Sequence, residues 1–199
     1  MQNDYSAFTS ERVFRNEMRI VIPFLQQGLS KEEIRSHIVE QNLFHMRSQR
    51  AITKTLAMVQ RRIACLDETL QQMFLHGSRN DSLAILLYAF LTVYRLPREF
   101  FLEVVYYNWK HRKKNRVTFG DILTFFEQKA EQSPVVSGWS TETKRKLRQI
   151  MLNLLIECGL LEKEGNEWRV MPLAISESLR TYVSQHSTYQ VLLTYVLYQ

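Results

Sequence analysis

The residues with the most chemical leverage in this 199-residue sequence are cations, and they fall into three groups. Arg47, Arg50, Lys54 and Arg61 share one stretch. Lys110, Arg112, Lys113, Lys114 and Arg116 crowd into seven positions. Lys144, Arg145 and Arg148 form the third group, with Lys146 among them. Cations at this density suit the phosphates of a nucleic acid, because each contact releases condensed counterions and so drives binding. The whole chain leans the same way: 26 Lys and Arg against 20 Asp and Glu leave a formal charge of +6. That balance speaks to partners rather than to fold.

Other chemistry lacks its residues. The five histidines, His37, His45, His76, His111 and His186, show no HExxH or HxH spacing, and no Cys/His pair has zinc-ligand spacing. P-loop, GxGxxG and GxSxG motifs do not occur in the sequence. Asp4, Asp67, Asp81 and Asp121 are scattered, three of them where a helix cap or turn is expected, whereas a two-metal nuclease needs clustered carboxylates. The expectation is a binding protein with no catalytic residues, no metal and no cofactor. Cys65 and Cys158 stand alone at apolar helical positions and read as reduced core residues of a cytoplasmic protein. Residues 1–12 hold no basic stretch followed by an apolar one, so no secretory signal is expected. The most apolar run, 83–94, falls well short of the roughly 20 residues that a membrane span needs, so no membrane partner is expected either.

The elements that must position the cations are helices. Apolar residues make up 45% of the chain, enough for a folded core, and six glycines with four prolines are too few for a many-turned β-fold. A first helix is expected over 10–26, capped by Ser10, with Glu11 in its first turn and Gly28 ending it. Ser30 and Glu33 form a capping box for a second helix, and Ser48 caps a third that ends near Leu66. In the third, Ile52, Leu56, Val59, Ile63 and Leu66 make one apolar stripe. At about 100° per residue, Arg50, Lys54 and Arg61 lie within roughly 20° of the opposite side, and Arg47 points the same way from the helix start. No Asp or Glu occurs between Ser48 and Leu66, which sets this face apart from an ordinary solvated one, where signs mix.

Asp67 caps the next helix, residues 76–81 read as a turn, and 83–94 is a buried helix. Pro97 suits the first turn of another, whose inward residues are Phe100, Phe101, Val104, Val105 and Tyr107. It runs into the Lys110–Arg116 segment. A helix C-terminus explains one or two of the five cations there, and a phosphate or an anionic protein partner accounts better for the rest.

From Thr118 onward the order of elements is informative. A helix over 121–130, a loop over 133–138 and a helix capped by Thr141 precede two short strands around Gly165-Asn166. With the helix after Pro97, this is a winged helix-turn-helix order. The second helix of such a pair turns its N-terminal end toward the DNA major groove, and here that end carries Lys144, Arg145 and Arg148. Glu162, Glu164 and Glu167 argue against phosphate contact by the wing itself. The fold class is therefore mainly α: a helical bundle with helix-turn-helix segments and a small C-terminal β-hairpin wing. Four parts are expected: a helix-turn-helix-like lobe over 1–66, central buried helices over 67–96, a winged lobe over 97–172 and a helical tail over 173–199. Double-stranded DNA is the favoured partner. The acidic wing and the apolar tail, 191–197, also fit an interaction adaptor, and the tail suits either the body of the protein or a second copy in a homo-oligomer.

The stretch YSAFTSERVFRNEMRIVIPFLQQGLSKEEI, Asn42-Leu43 before Arg47-Ser48, and Gln60-Arg61-Arg62-Ile63 resemble the BrxA family of BREX phage-defence systems. So do Pro97-Arg98-Glu99-Phe100, Trp139-Ser140-Thr141-Glu142-Thr143 and the run from Leu154 to Leu161. The resemblance covers roughly residues 5–183 as a pattern of spaced residues. It implies a small, all-helical, non-enzymatic DNA-binding component that works beside other BREX subunits and is likened in part to NusB-type RNA-binding proteins. It brings no catalytic residues, and RNA binding in the NusB manner remains a third reading.

Overall fold

The computed structural model describes residues 4–198. The first half is built from α1 (Arg15–Gln26), α2 (Lys31–Glu40), α3 (Gln49–Ile63), α4 (Glu68–His76) and α5 (Arg79–Val93). Local capping explains most of these boundaries. Ser30 accepts from the Glu33 amide while Glu33 reaches back to the Ser30 amide, Ser48 accepts from Ala51, and Asp67 accepts from Leu70. Ser78 and Asp81 make a second capping box at the start of α5. Every residue of α5 from Asp81 to Leu91 is buried. A helix apolar on all sides must be surrounded, and α3, α4, α6 (Arg95–Phe100) and α12 (Val191–Tyr195) pack against it. No helix among the described residues is long and apolar enough to cross a membrane.

The second half begins with α6, a π-helical segment (Phe101–Tyr106) and α7 (Tyr107–Lys110) in direct succession. Then come β1 (Arg116–Val117), α8 (Phe119–Gln132), the one-turn α9 (Pro134–Ser137) and α10 (Thr141–Glu157). A hairpin of β2 (Leu161–Glu164) and β3 (Glu167–Val170) follows, with Gly165 left-handed at its turn (φ 61°). The three strands form one antiparallel sheet in the order β1-β3-β2. Helix α11 (Glu177–Gln185) and α12 finish the described chain. The apolar tail lies on the body: Leu192, Tyr195, Val196 and Leu197 are buried, and α12 packs on α5 and on the π-helical segment.

Several expected boundaries shift, each for a physical reason. Helix α1 starts at Arg15 instead of Ser10, because Glu11 is drawn into the core and the chain before Arg15 is irregular. Ser10 caps nothing; its hydroxyl accepts from Lys54 Nζ at 2.7 Å. Ser140, not Thr141, caps α10 through the Thr143 amide. The expected loop over 133–138 contains α9, with Ser133 as cap and Pro134 in the first turn. Residues 116–117, expected as part of a basic segment, pair with β3 at Arg116–Arg169 and Val117–Trp168.

The departure at Glu11 exposes the strongest polar interaction in the core. Arg62 lies on α3 with no solvent exposure. Its guanidinium pairs with the Glu11 carboxylate and donates to the carbonyls of Val13 (2.6 Å) and Arg12 (2.5 Å). It also sits 5.0 Å from the Phe14 ring centre and 4.7 Å from that of Phe90. The Tyr94 hydroxyl donates to the other Glu11 oxygen. Burial pulls Arg62 below its ordinary pKa against the opposing pull of Glu11, and burial with the Glu11 contact holds the Tyr94 phenol protonated. A buried ion survives only when its charge and hydrogen bonds are met. Here residues 11–14 wrap around the arginine to meet its charge and its two terminal nitrogens, and only Nε is left without a partner. Phe14 takes a left-handed conformation (φ 55°), uncommon for a bulky side chain.

A second knot ties the same N-terminal segment to the second half. Tyr5 donates to Glu99 Oε2 at 2.6 Å, Arg95 Nε reaches Glu99 at 2.7 Å, and the Arg95 guanidinium lies 4.1 Å over the Tyr5 ring. The buried Lys129 of α8 adds contacts to Glu99 (2.9 Å) and Glu103 (2.5 Å). Arg62→Met, which strands Glu11 as a lone buried carboxylate, is expected to cost about 3–5 kcal/mol in urea unfolding. The double change Glu11→Leu with Arg62→Met should recover part of that loss. Equal stability of the single variant and the parent would contradict this account.

Candidate nucleic-acid interface

The structure sorts the three groups of cations by what each charge already touches. On the α3 face, Arg47, Arg50 and Arg61 are exposed and form no ion pair among the described residues. Lys54 is exposed and tethered to Ser10. At about 100° per residue Arg50, Lys54 and Arg61 fall within roughly 40° of one another, so the helix presents them as one row. Arg62, next in sequence, sits at the edge of the buried face and serves the core instead.

The second group divides in two. Lys110, Arg112 and Lys113 are exposed, and Lys113 is left-handed (φ 52°) where the chain leaves α7. The Arg112 guanidinium lies 5.3 Å from the Tyr107 ring centre. Lys114 is half-buried and 2.8 Å from Asp121, the carboxylate that caps α8 through Thr118. Arg116 bridges Glu164 (3.1 Å) and Glu167 (3.2 Å) across the sheet. Three of the five charges are therefore free for an external anion and two are held by the fold.

The third group is partly held as well. Arg145 makes a two-point contact with Glu142 one turn earlier, at 2.8 and 2.7 Å. Both side chains are exposed, so this pair contributes little to stability. Lys144 and Arg148 are half-buried, and Arg148 lies 4.8 Å from the ring centre of Phe119. The second and third groups thus meet around the first turn of α8, Lys114 at Asp121 and Arg148 at Phe119. The α3 row lies elsewhere, on a helix that packs against α1, α2 and α5.

Two features escaped the sequence. The wing acids are neutralised internally, Glu162 and Glu164 by Arg169, and Glu164 and Glu167 by Arg116. Their cationic partners lie on strands, one of them far away in sequence. The other feature is aromatic: Tyr107 is 44% exposed and Phe119 45%, each beside an arginine. Tyr107, expected to face inward, is thus exposed instead, and Phe119 lies just before the helix expected over 121–130, where no periodicity assigns it a side. Among the described residues no group of three His, Cys, Asp or Glu side chains could hold a metal ion. Burial pushes the Cys158 thiol up to about 12 and raises that of Cys65, so neither is a ready nucleophile.

Burial works against the Asp121 carboxylate, but Lys114 and Thr118 outweigh it and hold the group below the usual carboxylate range. A depressed folded-state pKa contributes stability above the unfolded value near 4 that is lost as pH falls through the folded value. Unfolding midpoints followed from about pH 6 to about pH 2 should therefore fall less steeply in Lys114→Ala than in the parent. Identical profiles would remove Lys114–Asp121 from the acid response.

The BrxA family profile matches residues 3–187. The BREX protein BrxA of Bacillus cereus (strain H3081.97) is 30% identical over 165 residues, covering 79% of this chain and 78% of its own length. The BREX protein BrxA of Paramagnetospirillum magneticum (strain ATCC 700264 / AMB-1) is 22% identical over 181 residues, covering 88% and 87%. In fold, the chain is similar to the crystal structure of an uncharacterized protein from Magnetospirillum magneticum, with a TM-score of 0.79, 19% identity and 98% of each chain covered. With the family pattern spanning nearly all of the sequence, this chain belongs to the BrxA family of BREX proteins.

Proposed function

We propose that this protein is a non-enzymatic DNA-binding component of BREX phage defence that holds duplex DNA mainly through phosphate contacts. The observation that carries the reading is the set of exposed cations with no acidic partner among the described residues: Arg47 just before α3, Arg50 and Arg61 on it, Lys110 at the end of α7, and Arg112 and Lys113 beyond it. Solvated faces usually mix signs, so an unmatched row has an external counter-charge as its simplest explanation. Element order adds support: helix, β1, α8, α10 and then a hairpin is that of a winged helix-turn-helix. In that reading α10 is the second helix of the pair, and its first turns bring Lys144, Arg145 and Arg148 toward the groove. The wing, its charge spent internally, stands aside.

The adaptor reading has less to stand on. Its acidic wing is neutralised by Arg116 and Arg169, and its apolar tail is covered by α5 and the π-helical segment. The tail therefore offers little to a second copy. Tyr107 and Phe119 do favour a specific variant, in which unpaired bases stack beside Arg112 and Arg148.

Fluorescence anisotropy with a labelled duplex tests the reading. Affinity should fall linearly on a log–log plot as salt rises, and replacing Arg47, Arg50 and Arg61 together with Ala should reduce the slope by roughly 2 to 3. The loss should be similar across sequences, as positioning contacts require. Binding that is absent at low salt, or indifferent to salt, would overturn the proposal. Preference for single-stranded RNA in competition would shift it to the stacking variant.

A further inference from the structure

Away from the cations assigned to DNA, a cleft of about 770 Å³ opens where three parts of the chain meet: residues 11–17, the start of α5, and the C-terminal half of α10. Arg12, Arg15 and Arg79 line it together with Asn16, Glu17, Asn153 and Glu157, and Glu11, paired with Arg62, closes one side. None of the three arginines forms an ion pair or a side-chain hydrogen bond among the described residues. More telling, the Nε of Arg15 is buried and has no hydrogen-bond partner. An orphaned donor on a permanent cation costs about 1–3 kcal/mol or more. Arg62 Nε is orphaned too, but its other nitrogens are satisfied, whereas no nitrogen of Arg15 has a partner among the described residues.

The backbone at this place is arranged to the same end. Arg62 grips the carbonyls of Arg12 and Val13, which fixes the loop that carries Arg12 and Arg15. Arg15 is the first residue of α1, whose N-terminus has no side-chain cap, so its leading amides add to the positive field, partly offset by Glu17 in the same turn. Arg79 is the first residue of α5. A cation at that end opposes the helix dipole, at a cost of a few tenths of a kcal/mol, so its own helix gives it no reason to be there.

We infer that this cleft binds a phosphorylated small molecule of nucleotide size, with Arg12, Arg15 and Arg79 on the phosphate. Asn16, Asn153 and Glu157 supply the amide groups and carboxylate that hydrogen-bond sugar hydroxyls or a base edge. Inorganic phosphate alone would leave most of the volume and these polar groups unused. The site is independent of the DNA reading. At about 100° per residue, Ile150, Asn153 and Glu157 lie roughly 80–180° around α10 from Arg145 and Arg148. Because the three walls come from both halves of the chain, an occupant would clamp the N-terminal segment against α10.

Isothermal titration calorimetry at low salt with AMP, inorganic pyrophosphate and adenosine, on the full-length protein, is the test. AMP should bind more tightly than pyrophosphate, and adenosine should not bind. Arg15→Gln and Arg79→Gln should each weaken AMP at least tenfold, whereas Arg50→Ala and Arg61→Ala should leave it unchanged. Thermal melts without ligand confirm that the Gln variants fold; should Arg15→Gln fail to fold, Arg79→Gln carries the test. Absence of AMP binding, equal loss in the α3 variants, or pyrophosphate binding as tightly as AMP would overturn the inference. So would loss of duplex affinity in Arg15→Gln and Arg79→Gln with no AMP binding by the parent, since the cleft would then be a DNA contact. Loss of DNA binding in the α3 variants has no bearing on this outcome, so the two readings fail separately.

Discussion

Arg62 holds a full positive charge in the dry interior, and much of the first half of the molecule is organised by the need to satisfy it. Two backbone carbonyls, one carboxylate and two aromatic faces surround the guanidinium. To supply them, residues 11–14 leave helical geometry, Phe14 turns left-handed, and α1 begins later than its capping residues suggest. Tyr94, just past the end of α5, closes the far side of Glu11. One cation thus fixes the relation between α3, the N-terminal segment and α5. The Tyr5–Glu99–Lys129 cluster extends that segment's hold to α6 and α8, so residues 5–14 act as a strap across both halves.

The surface follows a different rule. Of the cations that look alike in sequence, some serve the protein and some remain available. Lys114 and Arg116 stabilise α8 and the small sheet; among the described residues Arg47, Arg50, Arg61, Lys110, Arg112 and Lys113 form no ion pair. Counting charge therefore overstates the surface open to a phosphate, and pairing refines it. The same accounting changes the wing, whose glutamates read as repulsive in isolation but are matched across β1 and β3.

What was legible in the sequence was local. The Ser30–Glu33 box, the Ser48 and Asp67 caps, the buried 83–94 helix and the hairpin around Gly165 all depend on residues within a few positions of one another. The exposed α3 row was legible for the same reason, since periodicity alone sets which side a residue faces. The Glu11–Arg62 pair joins residues 51 apart, and no spacing rule links them. The pairing of β1 with β3 is equally distant, and a two-residue strand leaves no periodic trace. Exposed Tyr107 was hidden because an aromatic at a helical position looks like core until its neighbours are known, and Phe119 because it lies outside the expected helix.

The placement of the last helix has a consequence for how the chain is made. Helix α5 is apolar all round and needs cover on every side, and part of that cover is α12, more than a hundred residues later in synthesis order. During translation α5 emerges early and must wait, with one flank bare, until Leu192–Leu197 arrive. Bare apolar surface on a growing chain invites chaperones and aggregation. The final native contacts of this protein are therefore late events, and its nascent form is the state most in need of protection in the cell.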